Sequence, residues 1–227
     1  IGHALKGGQG QFFTPRNVVK MVVELVDPTH ENKIIDPACG SGSFLIGAYQ
    51  FLLDWHKNYY TDNGKIPKGS KDNPLTPDGN LTTAEKKRIL LNNIFGVDID
   101  VNAVEVTKLS LLLKCMEGET QASIAQQMKL FNERVLPTLD NNIKDGNSLI
   151  DTDFYSTQLD FGEEKKIKPF NWQKGFPEVF KQGGFDAVIG NPPYLGGREC
   201  KEENGNAYDY FIGKYKVAEY QFDIYAL

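Results

Sequence analysis

Short apolar segments alternate along this 227-residue chain with longer stretches in which apolar residues recur at helical spacing. The short segments predict strands over residues 33–36, 94–98, 143–145 and 185–189. Strands that alternate with helices pair in parallel and carry helices on both faces of the sheet. Ligands bind beyond the carboxyl ends of such strands, so the residues that follow each strand are candidates for a functional site. The sequence therefore predicts an α/β fold with a mostly parallel sheet.

Helices are predicted before and between these strands, over residues 15–26, 44–55, 83–93, 101–114 and 120–134. We expect Thr14 to be the N-cap of the first helix, with Pro15 as its first residue. Thr82 and Glu85 form a capping-box pattern at the start of the third helix. Residues 58–80 lack an apolar period and are interpreted as a flexible surface insertion, and residues 152–182 as an irregular aromatic region.

Composition excludes several classes of protein. Hydrophobic residues make up 40% of the chain and no apolar run reaches membrane-spanning length, so we expect a globular protein. Cys39, Cys115 and Cys200 match no metal-ligand spacing, which indicates no metal site and a reducing, cytoplasmic setting. A net charge of −5 disfavours nucleic-acid binding by this chain alone, because contact with phosphates requires a basic surface.

Both ends of the chain favour a fragment of a longer protein, although a trimmed small protein is the alternative. The first residue, Ile1, is not an initiator methionine. The last ten residues, AEYQFDIYAL, carry no helix stop signal.

A glycine-rich turn, DPACGSGS, follows the first predicted strand at residues 36–43. The turn lacks the Gly-Lys-Ser/Thr of a P-loop, and Gly47 comes too late for the GxGxxG of a dinucleotide site. A merely structural tight turn remains possible, as does a site for a nucleoside ligand without phosphates. Asp36 suits a cationic amine on such a ligand.

A second acid, Asp98, ends the next predicted strand, where an acid typically accepts hydrogen bonds from both ribose hydroxyls. Ile99 offers an apolar face to a nucleobase, whereas Asp100 is suited to cap the helix that begins at Val101. A ribose site without a phosphate loop indicates S-adenosylmethionine, in which adenosine is joined to a sulfonium amino acid.

Five motifs occur in a fixed order: QFFTP (11–15), DPACGSGSFL (36–45), FGVDID (95–100), DGNSL (145–149) and GGFDAVIGNPPY (183–194). Together they resemble the N6-adenine DNA methyltransferases of bacterial restriction–modification systems. The type IIG enzymes are the most similar, and the type I modification subunits come next. The resemblance covers residues 9–227. It implies a Rossmann-like S-adenosylmethionine-dependent methyltransferase fold, truncated at its C-terminal side.

The NPPY motif alone is less specific, because ribosomal RNA methylases and the glutamine methylases of release factors resemble it too. The FFTP motif favours a DNA enzyme. A methyltransferase that acts on RNA or on protein glutamine, and a non-catalytic cofactor-binding scaffold, are the alternative functions.

The resemblance also implies a domain division. Residues 1–32 are an N-terminal helical segment with the FFTP motif, and residues 33–227 are an incomplete catalytic domain without a target-recognition domain. The expected substrate of the full-length protein is double-stranded DNA with a flipped adenine, and a specificity or restriction domain or subunit is the expected partner. The DNA-reading surface then belongs to the absent part, so we expect this fragment alone to be weakly active or inactive.

Roles for single residues follow from the resemblance. The implied cofactor-binding residues are Phe13, Thr14, Asp36, Ala38, Cys39, Gly40, Asp98, Ile99, Asn147 and Pro193. Of these, Thr14 and Phe13 lie over the methionine part of the cofactor, and Asp98 holds the ribose. The family often has an acid where this chain has Asn147, whose oxygen can accept the same hydrogen bond from the cofactor's adenine amine. Asp145 is the alternative candidate for that role.

Asn191, Pro192 and Tyr194 are the implied catalytic residues. The N6 amine of adenine is a poor nucleophile because its lone pair is delocalised into the ring. Two acceptors, the Asn191 side-chain oxygen and the Pro192 main-chain carbonyl, would localise that lone pair, and the prolines fix their geometry. Tyr194 can stack on a base removed from the duplex. A rigid turn that closes a strand is the structural alternative.

The chemistry needs neither a metal nor a histidine base. We interpret His3, His30 and His56 as surface residues. Four late aromatic residues could shape the far side of the base pocket but are better explained as core or exposed aromatics: Tyr208, Tyr210, Phe211 and Tyr225.

Overall fold

Four parallel strands form one sheet in the order β3-β2-β1-β4. The computed structural model describes residues 14–62, 74–119, 137–156, 167–218 and 222–226. The strands are β1 (Ile34–Asp36), β2 (Ile94–Asp98), β3 (Ile143–Asp145) and β4 (Ala187–Val188). This order, with every pair parallel, confirms the predicted α/β class and is that of the first four strands of a Rossmann-like sheet.

Eight helices accompany the sheet in the described part of the chain. They are α1 (Arg16–Val26), α2 (Ser43–Asp62), α3 (Thr83–Asn93), α4 (Val101–Cys115), α5 (Trp172–Gly175), α6 (Pro177–Lys181), α7 (Gly197–Glu203) and α8 (Gly205–Lys214). Short 3₁₀ turns lie at Thr152–Ser156, Lys216–Ala218 and Ile224–Ala226. The helix predicted over residues 120–134 lies outside the described residues.

Each strand sends alternate side chains to opposite faces of the sheet. Ile34, Ile94 and Ile143 pack on one face with the long helices α1, α2 and α4. The other face is covered by an aromatic layer from the region of α5 and α6: Phe170, Phe176 and Val179 pack there against Ile35, Phe95 and Val97. A third cluster joins α7 and α8 to the first 3₁₀ turn and contains no residue of the sheet.

The N-caps predicted for α3 and α4 are confirmed, whereas the N-cap predicted for α1 is wrong. Thr82 caps α3 by accepting a hydrogen bond from the backbone N–H of Glu85, and Asp100 caps α4 by accepting one from Asn102. Thr14 does not cap α1: Pro15 holds the N-cap position with an extended ψ of 139°, and no side chain caps that end. The Thr14 hydroxyl is therefore free for another partner.

Three segment boundaries differ from the sequence prediction. Helix α2 continues to Asp62, into the segment interpreted as an insertion, because its buried face extends through Leu53 and His56. The region 152–182 is not irregular throughout, since it contains α5 and α6. Strand β4 is shorter than predicted, because only Ala187 and Val188 are in register with β1.

His56 corrects the interpretation of the histidines as surface residues. It is 2% exposed on the inner face of α2, four residues after the buried Leu52. Its Nδ1 lies 4.0 Å from the Glu85 carboxylate, and burial lowers the pKa of His56 to about 4. His30 is exposed and stacks on Trp55 with ring centroids 4.9 Å apart. His3 lies outside the described residues.

None of the described helices is both long enough and apolar enough to cross a membrane.

Candidate active site

The ends of β1 and β4 meet at the point where the order of the sheet reverses. Strand β1 pairs with β2 on one side and with β4 on the other. Asp36 ends β1, and Gly190 and Asn191 follow β4 closely. A Cβ atom added to Gly190 would lie 2.6 Å from the Asp36 Oδ1 atom, so only glycine allows this approach. The two motifs that sequence reasoning assigned to cofactor and target therefore share one edge of the sheet.

Backbone hydrogen bonds hold the glycine-rich turn against β2 and α4. Gly40 donates its N–H to the Asp98 Oδ2 atom at 2.7 Å, and its carbonyl accepts from the Thr107 hydroxyl at 2.7 Å. Cys39 donates its N–H to the Val97 carbonyl at 3.0 Å. Gly40 and Gly42 have φ of 51° and 83°, which is left-handed backbone that favours glycine. The turn is thus shaped by its neighbours before any ligand arrives.

The predicted cofactor residues of this turn differ in what they can offer a ligand. Ala38 donates its N–H to the Asp36 Oδ1 atom at 3.0 Å, which closes a tight loop around the carboxyl group. The Cys39 side chain is buried beneath the turn, near the position that a Cβ of Gly96 would take. Cys39 can therefore contribute to a site only through its backbone.

Asp36 is a buried acid, 2% exposed. Burial raises its pKa from the ordinary 3.8 to about 7, and the nearby Asp98 carboxylate adds to the increase. A cation that binds beside this carboxyl group would lower its pKa again, because the positive charge stabilises the ionised form. This matches the sequence argument that Asp36 suits a cationic amine.

Asp98 lies half-buried at the end of β2. Its Oδ2 atom accepts from Gly40 and its Oδ1 atom accepts from the Asp100 N–H at 2.9 Å. Each carboxylate oxygen has further acceptor capacity, so two hydroxyls of a diol can still bind. The neighbouring Ile99 side chain is 45% exposed, as expected of an apolar face for a base.

The DGNSL motif lies at the end of β3, next to Asp98 in the sheet register. Asn147 is half-buried, and its side-chain oxygen accepts from the Leu149 N–H at 3.1 Å. Asp145 is exposed at the same edge. Both candidate acceptors for the cofactor's adenine amine, Asn147 and Asp145, therefore lie beside the predicted ribose site. The Asn147 side-chain oxygen already accepts one hydrogen bond and can accept a second.

Lys168 is a site-edge residue that sequence reasoning missed. Its Nζ donates to the Ile99 carbonyl at 2.8 Å, and its own carbonyl accepts from the Asn147 N–H at 2.7 Å. The residue bridges the tips of β2 and β3 from a distant part of the chain. Its backbone φ of 46° is unusual for a lysine, but nothing in the local sequence signals it.

The NPPY motif turns away from the sheet directly after β4. The Asn191 Nδ2 atom donates to the Thr14 hydroxyl at 3.3 Å, and the Tyr194 hydroxyl donates to the Asn191 Oδ1 atom at 3.4 Å. Tyr194 is 63% exposed, and Pro193 is exposed beside it. The FFTP motif therefore reaches the NPPY motif through Thr14, whereas Phe13 lies outside the described residues.

Three of the four late aromatic residues pack in the core, as expected, and the Tyr225 side chain lies outside the described part of the chain. Phe211 is buried in the third cluster, against which Tyr208 and Tyr210 pack. Tyr210 donates its hydroxyl hydrogen to Asp153 at 2.5 Å.

The chain is similar to known restriction–modification methyltransferases. The model of the Eco57I restriction-modification methylase family matches residues 92–227, and that of an RMKL-like methyltransferase domain matches residues 17–137. The chain is 36% identical over 197 residues to the type II restriction enzyme and methyltransferase RM.Eco57I of Escherichia coli, covering 86% of this chain and 18% of that protein.

Two further relatives are methyltransferases by name. The adenine-specific methyltransferase PglX of Streptomyces coelicolor is 27% identical over 83% of this chain, which covers 14% of that protein. The methylase subunit of the type I restriction enzyme MjaVII of Methanocaldococcus jannaschii is 41% identical over 56% of this chain, which covers 20% of that subunit. The chain thus spans at most a fifth of the length of these relatives.

Proposed function

Because the chain belongs to the Eco57I restriction-modification methylase family, we propose that it transfers a methyl group from S-adenosylmethionine to the N6 amine of adenine in DNA. The observation that carries the proposal is the contact of the β1 and β4 tips at Gly190 and Asp36. It lets a cofactor amine at Asp36 and a target amine at Asn191 lie within reach of each other. The similarity to an adenine-specific methyltransferase supports adenine as the target base.

The residues at the tips of β1, β2 and β3 fit the proposed cofactor. The buried Asp36 carboxyl faces the amino group, the Asp98 carboxylate accepts from the ribose hydroxyls, and Ile99 packs on the adenine ring. Ala38 and Gly40 line the amino-acid end through their backbone, and Asn147 or Asp145 accepts from the adenine amine. When bound, S-adenosylmethionine supplies an electrophilic methyl group on a cationic sulfur.

The residues after β4 prepare the nucleophile. The Asn191 side-chain oxygen and the Pro192 carbonyl accept the two hydrogens of N6, which favours a pyramidal nitrogen with its lone pair directed at the methyl group. Tyr194, with most of its ring exposed, stacks on the flipped base and holds it in line. Pro192 and Pro193 fix the backbone that presents these groups.

The DNA-reading surface is proposed to lie in other parts of the full protein. This chain has a net charge of −5, which opposes a backbone-binding role on its own. Residues 33–227 act as the catalytic domain, residues 1–32 bring the FFTP motif to it, and a specificity or restriction domain or subunit selects the site. The proposed setting is the bacterial cytoplasm, and the 227-residue chain by itself methylates DNA weakly or not at all.

The test compares methyl transfer by the complete gene product that carries these residues, with and without the Asn191→Ala substitution. Labelled S-adenosylmethionine is offered with duplex DNA, with RNA and with a release factor. We expect label in adenine of DNA, and a loss of about 100-fold or more in turnover for Asn191→Ala, because one acceptor for the amine is removed.

Cofactor binding supplies the control for that experiment. Calorimetry on the 227-residue chain should give the same S-adenosylmethionine affinity for the wild type and Asn191→Ala, since Asn191 faces the target. Label in RNA or protein but not in DNA would overturn the substrate, and normal turnover by Asn191→Ala would overturn the role of the amide. The absence of any binding heat would favour a non-catalytic scaffold.

A further inference from the structure

We propose that Thr14 is a positioning residue that fixes the side-chain amide of Asn191 for catalysis; this inference rests on the proposed function. The Asn191 Nδ2 atom donates to the Thr14 hydroxyl at 3.3 Å, across 177 residues of sequence. The resemblance to known methyltransferases implied a different role for Thr14, contact with the methionine part of the cofactor. The hydrogen bond instead connects it to the group that holds the target.

The orientation of the amide matters because its two ends are not equivalent. Only the oxygen of Asn191 can accept a hydrogen from the N6 amine, whereas a rotated amide would present its NH₂ group to another NH₂ group. A partner that engages the nitrogen keeps the oxygen turned towards the target. Thr14 is such a partner, because it leaves Oδ1 to the Tyr194 hydroxyl, whose 3.4 Å hydrogen bond an incoming base can replace.

Both ends of this hydrogen bond have a restricted backbone. Thr14 precedes Pro15, and Asn191 precedes Pro192. A residue before proline is held in extended conformations, and the β-branched threonine also has a stiff χ1 angle. The TP and NPPY motifs thus present a hydroxyl and an amide from backbones with little freedom to adjust.

Helix α1 fixes the position of Thr14 relative to the sheet. Val19 and Val23 are buried on α1, and a Cβ atom at Gly47 of α2 would lie 2.4 Å from the Val19 side chain. Val19 and Val23 also share a buried cluster with Ile189, the residue that follows β4, so α1 is held on the same side of the sheet as the NPPY motif. Because Pro15 takes the N-cap position, the Thr14 hydroxyl is not used by the helix.

The first experiment compares Thr14→Val, which keeps the shape of the side chain but lacks the hydroxyl, with Thr14→Ser, which keeps the hydroxyl. In the complete gene product we expect Thr14→Val to lower kcat for adenine methylation about fivefold, as is usual for the loss of one hydrogen bond between neutral groups. Thr14→Ser should stay within about twofold of the wild type. The KM for S-adenosylmethionine should not change in either variant.

The outcomes separate this inference from the proposed function. A weaker affinity for S-adenosylmethionine with unchanged kcat in Thr14→Val would show a cofactor contact and overturn the positioning role. Equal kcat in Thr14→Val and wild type would overturn it too, while leaving the proposed function in place. A wild-type protein that methylates no DNA would instead refute the proposed function.

A second measurement needs no activity. The side-chain amide protons of Asn191 can be followed by NMR in the 227-residue chain labelled with ¹⁵N asparagine, and assigned with Asn191→Ala. We expect slower exchange of these protons with solvent in the wild type and Thr14→Ser than in Thr14→Val. Identical exchange in all three proteins would contradict the hydrogen bond on which the inference depends.

Discussion

The two sides of the candidate site, the proposed cofactor side and the proposed target side, differ in how short their hydrogen bonds are and how deeply their side chains are buried. On the cofactor side, Gly40 is fixed by hydrogen bonds of 2.7 Å to both Asp98 and Thr107, and Asp36 is almost wholly buried. On the target side, Asn191 has hydrogen bonds of 3.3 and 3.4 Å to two hydroxyls, and Tyr194 is 63% exposed. The first half is shaped by backbone groups of the fold, and the second by side chains that can change partners.

This difference fits the different ligands that we propose for the two halves. A small cofactor gains affinity from a site that is already formed, because little ordering remains when it binds. In the proposed reaction, the target side gives up its internal hydrogen bonds to a base that arrives from a duplex. Long, replaceable hydrogen bonds and an exposed ring leave those groups available. The two halves meet where Gly190 approaches Asp36, so loss of this contact should disturb both the cofactor side and the target side.

Gly190→Ala tests that contact and should give the largest effect. The new Cβ would lie 2.6 Å from the Asp36 carboxylate, so either this buried carboxyl group or the tip of β4 must shift. We expect a loss of about 100-fold in methyl transfer, because the reacting groups shift apart. We also expect a loss of about 1–3 kcal/mol in the free energy of unfolding, measured by urea denaturation.

Gly196→Ala is the matched control for this substitution. A Cβ atom at Gly196 meets nothing within 4 Å, and its φ of −66° suits alanine. Activity should stay close to the wild type, and because Gly196 is the N-cap of α7 the loss of stability should not exceed about 1 kcal/mol. If Gly190→Ala behaved like Gly196→Ala, the two halves would not be in contact as the structure places them.

Tyr194→Ala tests the loosely held half alone. Loss of base stacking should raise the KM for duplex DNA about tenfold, within the range for one stacked base. Tyr194→Phe should change it about twofold at most, because phenylalanine keeps the ring that stacks on the base and the hydrogen bond from the hydroxyl to Asn191 is long, at 3.4 Å. The thermal midpoint should not move in either variant, since most of the ring is exposed. A weaker affinity for S-adenosylmethionine in Tyr194→Ala would place the ring on the wrong half of the site.

Local patterns in the sequence predicted much of the cofactor side of the site. The bounds of β2, β3 and α3 agree with the prediction, as does the cap of α4 by Asp100. Apolar runs, a capping acid and a glycine-rich turn are all signals within a few residues of each other. Such signals place Asp36 and Asp98 at strand ends, and parallel pairing then brings the ends together.

The features that sequence reasoning missed depend on distant contacts. The approach of Gly190 to Asp36, the bridge from Lys168 to Ile99 and the bond from Thr14 to Asn191 each join remote segments. Thr14 was predicted to cap α1 because its local sequence suits a cap, yet Pro15 takes the N-cap position and the Thr14 hydroxyl accepts a hydrogen bond from Asn191 instead. His56 was misplaced because histidine has no strong preference for the core or the surface, although its spacing from Leu52 already put it on the buried face of α2.

The last prediction, and the smallest effect, concerns the pH dependence of cofactor binding. Burial raises the pKa of Asp36 to about 7, so about half of these carboxyl groups are ionised at pH 7 and about a tenth at pH 6. A cofactor amine, with a pKa near 8, stays protonated over this interval. If binding requires the ionised carboxylate, the Kd for S-adenosylmethionine measured by calorimetry should rise about fivefold from pH 7 to pH 6.

Stability should respond to the same carboxyl group with the opposite sign. Between about pH 4 and pH 7 the folded chain retains a proton on Asp36 that the unfolded chain has lost, so this group makes unfolding easier as pH rises. His56 opposes it: its folded pKa is about 4, so the unfolded chain binds more protons between pH 4 and 6.5, and stability falls as pH is lowered through that interval. The pH dependence of unfolding of the free chain therefore combines the titration of Asp36 with that of His56.

The pH dependence of cofactor binding should report on Asp36 alone, because His56 lies more than three turns along α2 from the glycine-rich turn. Asp36→Asn should bind weakly at both pH values and lose the slope, whereas a wild-type affinity that is flat from pH 7 to pH 6 would remove Asp36 from the amine site.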